Sequence, residues 1–369
     1  TSDPGVYPGG NENPRGGWSI LPQVSGARID NTTIKVGRGG ATLTNYITES
    51  FDPTVVKRAV IQIHGENRDS WNQWLYADLA LDRAIRGGEV KREEVVIMAP
   101  QFFQALDVGA FAADAQGASI TNTLVWPIGT SWGDGSVALY PNGTAGGRSV
   151  GGFDALDAAV SYFTNRDDFP NLETVVVAGF SLGGQLAHRY SVLRKDTSQD
   201  DRIHYWISSP NSFLYLNSSR PNTVGKECKE TYNNYKYGLA ANLPPYVNST
   251  ASPVSNLKST DLIATFLSRR VIYMVGSQDK MAGFSDCPSD SQGTTHVRKM
   301  KYWTEQVVPY LPGSTMDGTL PATHSVHYIS RTGHQDWKVI TSDSGVLTLF
   351  LENYNGDGTT AAAPPSNGV

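Results

Sequence analysis

Cysteine is nearly absent: Cys228 and Cys287 are the only two among 369 residues. Two thiols cannot build a Cys-rich zinc site or the dense disulfide framework of a small secreted scaffold. No apolar stretch is long enough to span a bilayer, so no membrane span is expected. Charge is sparse and mixed. The 30 Lys+Arg and 35 Asp+Glu leave a net charge of −5, with no long run of either sign. That balance argues against nucleic acid or an anionic membrane surface as a partner. No Walker-type sequence occurs, and no Gly-x-Gly-x-x-Gly stands between a strand and a helix. Phosphate and dinucleotide cofactors are therefore not indicated. No two histidines share helical ligand spacing with a carboxylate. Neither a metal nor any other cofactor is expected.

What is present is glycine, 37 residues of it. The pattern Gly-x-Ser-x-Gly accordingly occurs three times, at Ser131, Ser149 and Ser181. Context separates them. Ser131 follows Trp126-Pro127-Ile128, too short and too Pro-broken for a central strand. Ser149 follows a loop, Asn142 to Gly146. Ser181 alone has a small apolar run before it, Val175 to Ala178, and a helix-like run after it, Gln185 to Tyr190. Strand, tight turn and helix make a nucleophile elbow. The turn strains the serine backbone, and the helix start aims free N–H groups at any oxyanion formed there.

The rest of the chain alternates between strands and helices. Residues 1–17, with three prolines, read as irregular. Thr32–Val36 and Ala41–Ile47 read as antiparallel edge strands. Buried strands are expected at Lys57–Ile63, Val95–Ala99, Ile203–Ser208, Val271–Val275 and Ser325–Ile329. Helical spacing joins Trp74, Ala77, Leu81 and Ala84, then Phe153, Leu156, Val160 and Phe163. Further helices are expected over 292–309 and Val339–Leu351. Residues 101–152 form a long Gly-rich loop stretch, 210–262 a Tyr-rich insertion, and 355–369 a low-complexity tail. A single α/β domain over 18–354 follows, its sheet mostly parallel. In open sheets of this kind chemistry sits at the strand carboxyl ends.

Past Val271–Val275 comes Gly276-Ser277-Gln278-Asp279, and past the last strand comes Thr332-Gly333-His334. Ser181, Asp279 and His334 thus stand at strand ends in the order nucleophile, acid, base. A serine needs a base to take its proton, and an acid to orient that base. Asp286 is a rival acid, seven positions beyond Asp279. Among the other histidines, His204 and His327 fall within strands, His188 lies on the elbow helix, and His64 shapes the turn after an early strand. The elbow, His64-Gly65 after that strand, Asp279 and His334 together resemble the α/β-hydrolase superfamily from about Lys57 to Leu351. The resemblance is nearest to secreted serine hydrolases with a Tyr-rich insertion. It implies an eight-stranded, mostly parallel sheet flanked by helices, with the insertion as a cap before the strand carrying the acid. It also implies carboxylic-ester hydrolysis through an acyl-enzyme. The chain departs from the family in one place. Glu66 and Asn67 follow Gly65 where His-Gly-Gly-Gly is usual, so the first oxyanion donor is the N–H of Glu66 or of Asn67. The second is the N–H of Leu182. A serine peptidase, or a binding protein on a hydrolase fold, remains an alternative; the filled triad positions weigh against the latter.

Four Asn-x-Ser/Thr sequons occur, at Asn31, Asn142, Asn217 and Asn248. Cys228 and Cys287 both lie in polar, turn-rich segments, and a disulfide is expected between them. The chain opens at Thr1 rather than Met, which reads as a processed or trimmed mature chain. These features together point to a secreted, extracellular glycoprotein. Trp126, Trp132 and Tyr237 are candidate substrate-binding residues, since aromatic loop residues stack on sugar or phenolic rings. The insertion lacks the broad apolar face of a lipase lid. A small-molecule or carbohydrate-linked ester is the expected substrate.

Overall fold

Every residue of the strand Thr174–Phe180 is buried, and its side chains alternate between two cores. Val175 and Val177 enter one; Val176, Ala178 and Phe180 enter the other. That is the period-two geometry of a strand covered on both faces. Each buried valine contributes roughly 1.5–3 kcal/mol of transfer free energy. The computed structural model describes residues 2–8, 16–37, 39–88, 90–112, 122–129, 131–141, 150–249, 259–283 and 286–353.

The central sheet has eight strands: β1 (Ala27–Asp30), β2 (Asn45–Thr48), β3 (Arg58–Ile63), β4 (Val95–Pro100), β5 (Thr174–Phe180), β6 (Ile203–Ser208), β7 (Arg270–Gly276) and β8 (His324–Ile329). Their spatial order is β1-β2-β4-β3-β5-β6-β7-β8. β2 runs antiparallel to both of its neighbours. All other pairs are parallel. The expected eight-stranded, mostly parallel sheet is therefore the observed one.

Helices cover both faces. On one side α1 (Ser70–Arg86) buries Trp71, Trp74, Ala77, Leu81 and Ala84. It stops at Gly87-Gly88, where Gly88 takes a φ of 75°. The C-terminal segment packs beside it through Val339, Leu349 and Phe350. On the other side lie α2 (Gly152–Thr164), α3 (Leu182–Leu193), α4 (Ser259–Ser268) and α5 (His296–Tyr302). They contribute Phe153, Leu156, Val160, Phe163, Leu186, Tyr190, Phe266 and Met300 to the larger core.

Boundaries differ from expectation where capping side chains compete with the helix. The last helix is not continuous over Val339–Leu351. Ser342 accepts a hydrogen bond from the Gly345 N–H at 3.0 Å and starts a new turn. Three short pieces result, Asp336–Ile340, Asp343–Val346 and Leu347–Leu351. Thr295 caps α5 in the same way, so that helix begins at His296 rather than near residue 292. The expected edge strands also rearrange. Lys35–Val36 and Ala41–Thr42 form a separate two-stranded ribbon, and β1 takes the sheet edge instead. Residues 2–8 are irregular, as expected, yet they are tied to α1. The Val6 N–H donates to Asn72 Oδ1 at 2.7 Å, Trp71 Nε1 to the Val6 carbonyl at 2.8 Å, and the Tyr76 hydroxyl to Asp3 Oδ1 at 2.7 Å. Among the described residues no helix is long and apolar enough to cross a membrane.

Cys228 and Cys287 are joined, with Cα atoms 5.9 Å apart. The bond ties the turn Lys226–Cys228 of the insertion to the short helix Cys287–Asp290 beyond Asp279. It closes a loop of 59 residues in sequence separation, for which chain entropy gives about 4 kcal/mol as an upper value. Replacing both cysteines by serine should lower unfolding stability by about 2–4 kcal/mol. Chemical denaturation checks this, and an unchanged midpoint would contradict it.

Candidate active site

Ser181 joins β5 to α3 with φ 56° and ψ −116°, a conformation that side-chain-bearing residues rarely adopt. The bend is enforced by close backbone approach. A Cβ on Gly179 would collide with the Gly183 carbonyl, and one on Gly183 with the carbonyls of Ile63 and His64. The Ser181 N–H donates to the Ser208 carbonyl at 2.9 Å, pinning the turn to β6. The serine is only partly buried, as a reacting group must be.

The turns after β7 and β8 hold each other. The Gln278 N–H donates to the Thr332 carbonyl at 2.8 Å, and the Arg331 N–H to Ser277 Oγ at 3.1 Å. This linkage brings Asp279 and His334 together: Nδ1 of His334 lies 2.8 Å from Asp279 Oδ2. The His334 ring packs on Phe180, with centroids 4.6 Å apart, which sets it beside the residue before the serine. Asp279 is fully buried. Burial works against its charge, but hydrogen bonds from His296 and His334 outweigh it and hold the carboxyl well below its usual range. Asp286, the rival acid, accepts instead from the Tyr237 hydroxyl and the Ser289 N–H.

The loop after β3 is tied down from behind. His64 accepts from the Phe102 N–H at Nε2, 3.0 Å, so its Nδ1 carries the proton and donates to the Gly65 carbonyl at 2.8 Å. Burial pushes His64 down to about 3, so it stays neutral. The Glu66 carbonyl accepts from Arg68 Nη1 and the Asn67 carbonyl from Trp18 Nε1. Arg68 is itself locked by a two-pronged buried pair with Asp107, at 2.8 and 3.0 Å. Three successive carbonyls are thereby engaged. Glu66, Asn67 and Leu182 line one cavity with Ser181 and His334.

That cavity measures about 330 Å³, within the range of small-molecule sites. Its wall is acidic. Glu66, Asp69 and Asp336 line it, and no lysine or arginine is among the described lining residues. Asp69 is buried at the start of α1. A helix N-terminus favours an anion there, yet burial and the neighbouring Asp336 prevail and push Asp69 up to about 8. Burial pushes Asp336 upward as well. Such a group of carboxyls holds its protons jointly.

Other expected residues lie elsewhere. Trp126 and Trp132 are wholly buried in the larger core, where Trp132 stacks on Phe102 and Trp126 packs against it at a tilt, and neither is among the residues lining the cavity. Loop aromatics still bury ring area when a core lies beneath them. Tyr237 is also absent from the described lining. Asn31 is buried rather than displayed at the surface, so the first sequon offers no accessible acceptor. Asn217 is exposed. Asn248 falls in the short helix Pro245–Ser249, and Asn142 lies outside the described residues. Asp69, Asn211, His296 and Asp336 are among the lining residues that escaped the sequence reading. His296 Nδ1 lies 3.1 Å from Asp279 Oδ1, and its ring stacks on His334 with centroids 4.4 Å apart. Asp279, His296 and His334 are the one group of described His, Cys, Asp and Glu side chains close enough to share an ion. Their facing atoms are already matched as N–H donors to carboxylate oxygens.

The sequence matches no known protein-family profile and no curated protein. Solved structures do share its fold. A poly(3-hydroxybutyrate) depolymerase from Bordetella parapertussis superposes with a TM-score of 0.53 at 15% identity, covering 88% of this chain and 90% of its own. Poly(aspartic acid) hydrolase-1 from Sphingomonas sp. KT-1 gives the same score and identity over 88% of this chain and 98% of its own. The chain therefore has the α/β-hydrolase fold.

Asp69 makes stability depend on pH in a defined direction. With a folded value of about 8 against an ordinary 3.8, the native state keeps a proton that the unfolded chain has released. Its stabilising effect is full below about pH 4 and is lost as pH rises towards about 8. The Asp69→Asn variant keeps the shape without the titration. Its melting temperature, relative to wild type, should rise between pH 5 and pH 8; parallel curves would contradict this.

Proposed function

We propose that the protein is a serine hydrolase cleaving carboxylic esters through an acyl-enzyme, with Ser181 as nucleophile, His334 as base and Asp279 as the acid that orients it. One observation carries the reading. A serine in a strained elbow and an imidazole bonded at 2.8 Å to a buried carboxylate line the same cavity. With Nδ1–H donating to Asp279, the lone pair of His334 sits on Nε2. That atom would take the Ser181 proton as the hydroxyl attacks the ester carbonyl, then pass it to the departing alcohol. Asp279 would remain ionised throughout and stabilise the imidazolium. The Leu182 N–H, with that of Glu66 or Asn67, would receive the oxyanion. Water would then release the acid by the same steps.

The substrate we infer is a soluble ester of modest size, including carbohydrate-linked ones, neutral or cationic rather than anionic. A cavity of about 330 Å³ with no lysine or arginine among its described lining residues to receive an anion supports this. The exposed side chain of Met281 gives the rim a small apolar contact, far short of a lipid-binding face. We place the protein in an oxidising, extracellular compartment, on the strength of its disulfide and the exposed sequon at Asn217.

Two measurements test the reading. The Ser181→Ala variant should lose on the order of 10⁴-fold or more in turnover of a short-chain p-nitrophenyl ester. A fluorophosphonate probe should label the wild type at Ser181 and leave the variant unlabelled. Near wild-type hydrolysis by the variant, or an adduct elsewhere, would overturn the proposal.

A further inference from the structure

Gln185 stands one helical turn beyond Ser181 on α3, its N–H donating to the Ser181 carbonyl at 3.0 Å. It is only 3% exposed and lines the cavity beside Leu182. The reaction described above makes no use of its side chain.

The orientation of its amide is fixed. Oε1 accepts from Arg189 Nη1 at 3.3 Å and from Ser212 Oγ at 2.8 Å. Arg189 is wholly buried and its guanidinium only donates, so the amide oxygen must face it. Ser212 Oγ accepts from Arg189 Nη2 at 2.8 Å, which leaves its one proton for Gln185. Arg189 is held in turn by the Lys236 carbonyl of the insertion, 3.2 Å from both Nε and Nη2. With Oε1 committed to that side, the Nε2 amino group points the other way. No described residue accepts a hydrogen bond from it. Nor is Nε2 among the buried side-chain atoms left without a partner, so it keeps accessible surface. Gln185 is a wall residue of the cavity, and its open N–H groups face that space. A nearly buried amide with its oxygen doubly paired and its nitrogen open is a donor waiting for an acceptor.

We propose that Gln185 Nε2 is a substrate-binding donor, and that the ester this site takes carries a second acceptor oxygen, of an ether or carbonyl, a few bonds from the scissile carbonyl. Residues four apart on a helix stand about 5–6 Å apart at Cβ. An oxygen within that reach of the carbon attacked by Ser181 fits either the acyl part or the alcohol part. A plain alkyl chain in the same place would leave the amide unpaired, at a cost in binding.

The inference rests on the proposed ester hydrolysis, and its test keeps the two apart. Two pairs of esters set an ether oxygen against a methylene. p-Nitrophenyl methoxyacetate and p-nitrophenyl butyrate probe the acyl part; 2-methoxyethyl acetate and butyl acetate probe the alcohol part. In at least one pair the wild type should favour the oxygenated ester by about tenfold in kcat/KM, mainly through KM, beyond the ratio of their hydroxide-catalysed rates. The pair that responds identifies the side. Gln185→Leu should erase that preference. Gln185→Glu is the more discriminating variant, because its carboxylate still accepts from Arg189 and Ser212 but puts an oxygen where Nε2 stood. It should erase the preference too, whereas a residue that merely holds Arg189 would keep it. Fluorophosphonate labelling at Ser181 checks that each variant is folded. Wild-type ratios equal to those of hydroxide in both pairs would overturn this inference alone, whether or not the variants fold, and so would an unchanged ratio in Gln185→Glu. Failure of the wild type to cleave any of the esters would overturn the ester reading and this inference with it.

Discussion

The site depends on keeping one buried carboxylate ionised. Asp279 is shut off from water, and an unpaired anion there would cost several kcal/mol. Its two oxygens are satisfied separately, one by His334 and one by His296. The mutually bonded turns after β7 and β8 and the Thr295-capped start of α5 meet at this carboxylate. Each element delivers one of the three groups. If one imidazole were withdrawn, the remaining bond would have to hold both the charge and the geometry.

A second constraint acts at the elbow. Backbone passes so close to backbone around Gly179 and Gly183 that no other residue fits. The strain at Ser181 is thus imposed by β3, β6 and α3 together, since Ile63, His64, Ser208 and Gly183 all contribute to the clamp. The loop at Gly65–Asn67 is rigid for a different reason: its carbonyls are occupied by His64, Arg68 and Trp18. A positive φ at Arg68 lets the chain turn away into α1.

Ser181, Asp279 and His334 can be read from the sequence as candidates because each follows its own strand within a few residues. Covalent neighbours announce such positions, and the strand pattern supplies the direction. His296 and Asp336 carry no such announcement. His296 lies seventeen residues after Asp279 on a different element, and Asp336 meets Asp69 only because the C-terminal segment packs on α1. Asn211 is similar, held by Lys299 from across the insertion. Trp126 and Trp132 misled for the opposite reason. A Gly-rich stretch suggests exposure, but their rings close the underside of the core around Phe102. The disulfide could be anticipated from the polar surroundings of both cysteines, whereas the burial of Asn31 could not be read from its polar neighbours.

The cavity wall has a consequence for the end of the proposed catalytic cycle. Cleavage of a neutral ester would yield an acid that ionises at neutral pH, and no lysine or arginine among the described lining residues would retain that anion. Burial holds protons on Asp69 and Asp336 further into the neutral range than on ordinary carboxyls, so the wall would meet a neutral ester without three full charges. With no cation to hold it, accumulating carboxylate product would compete poorly for the site.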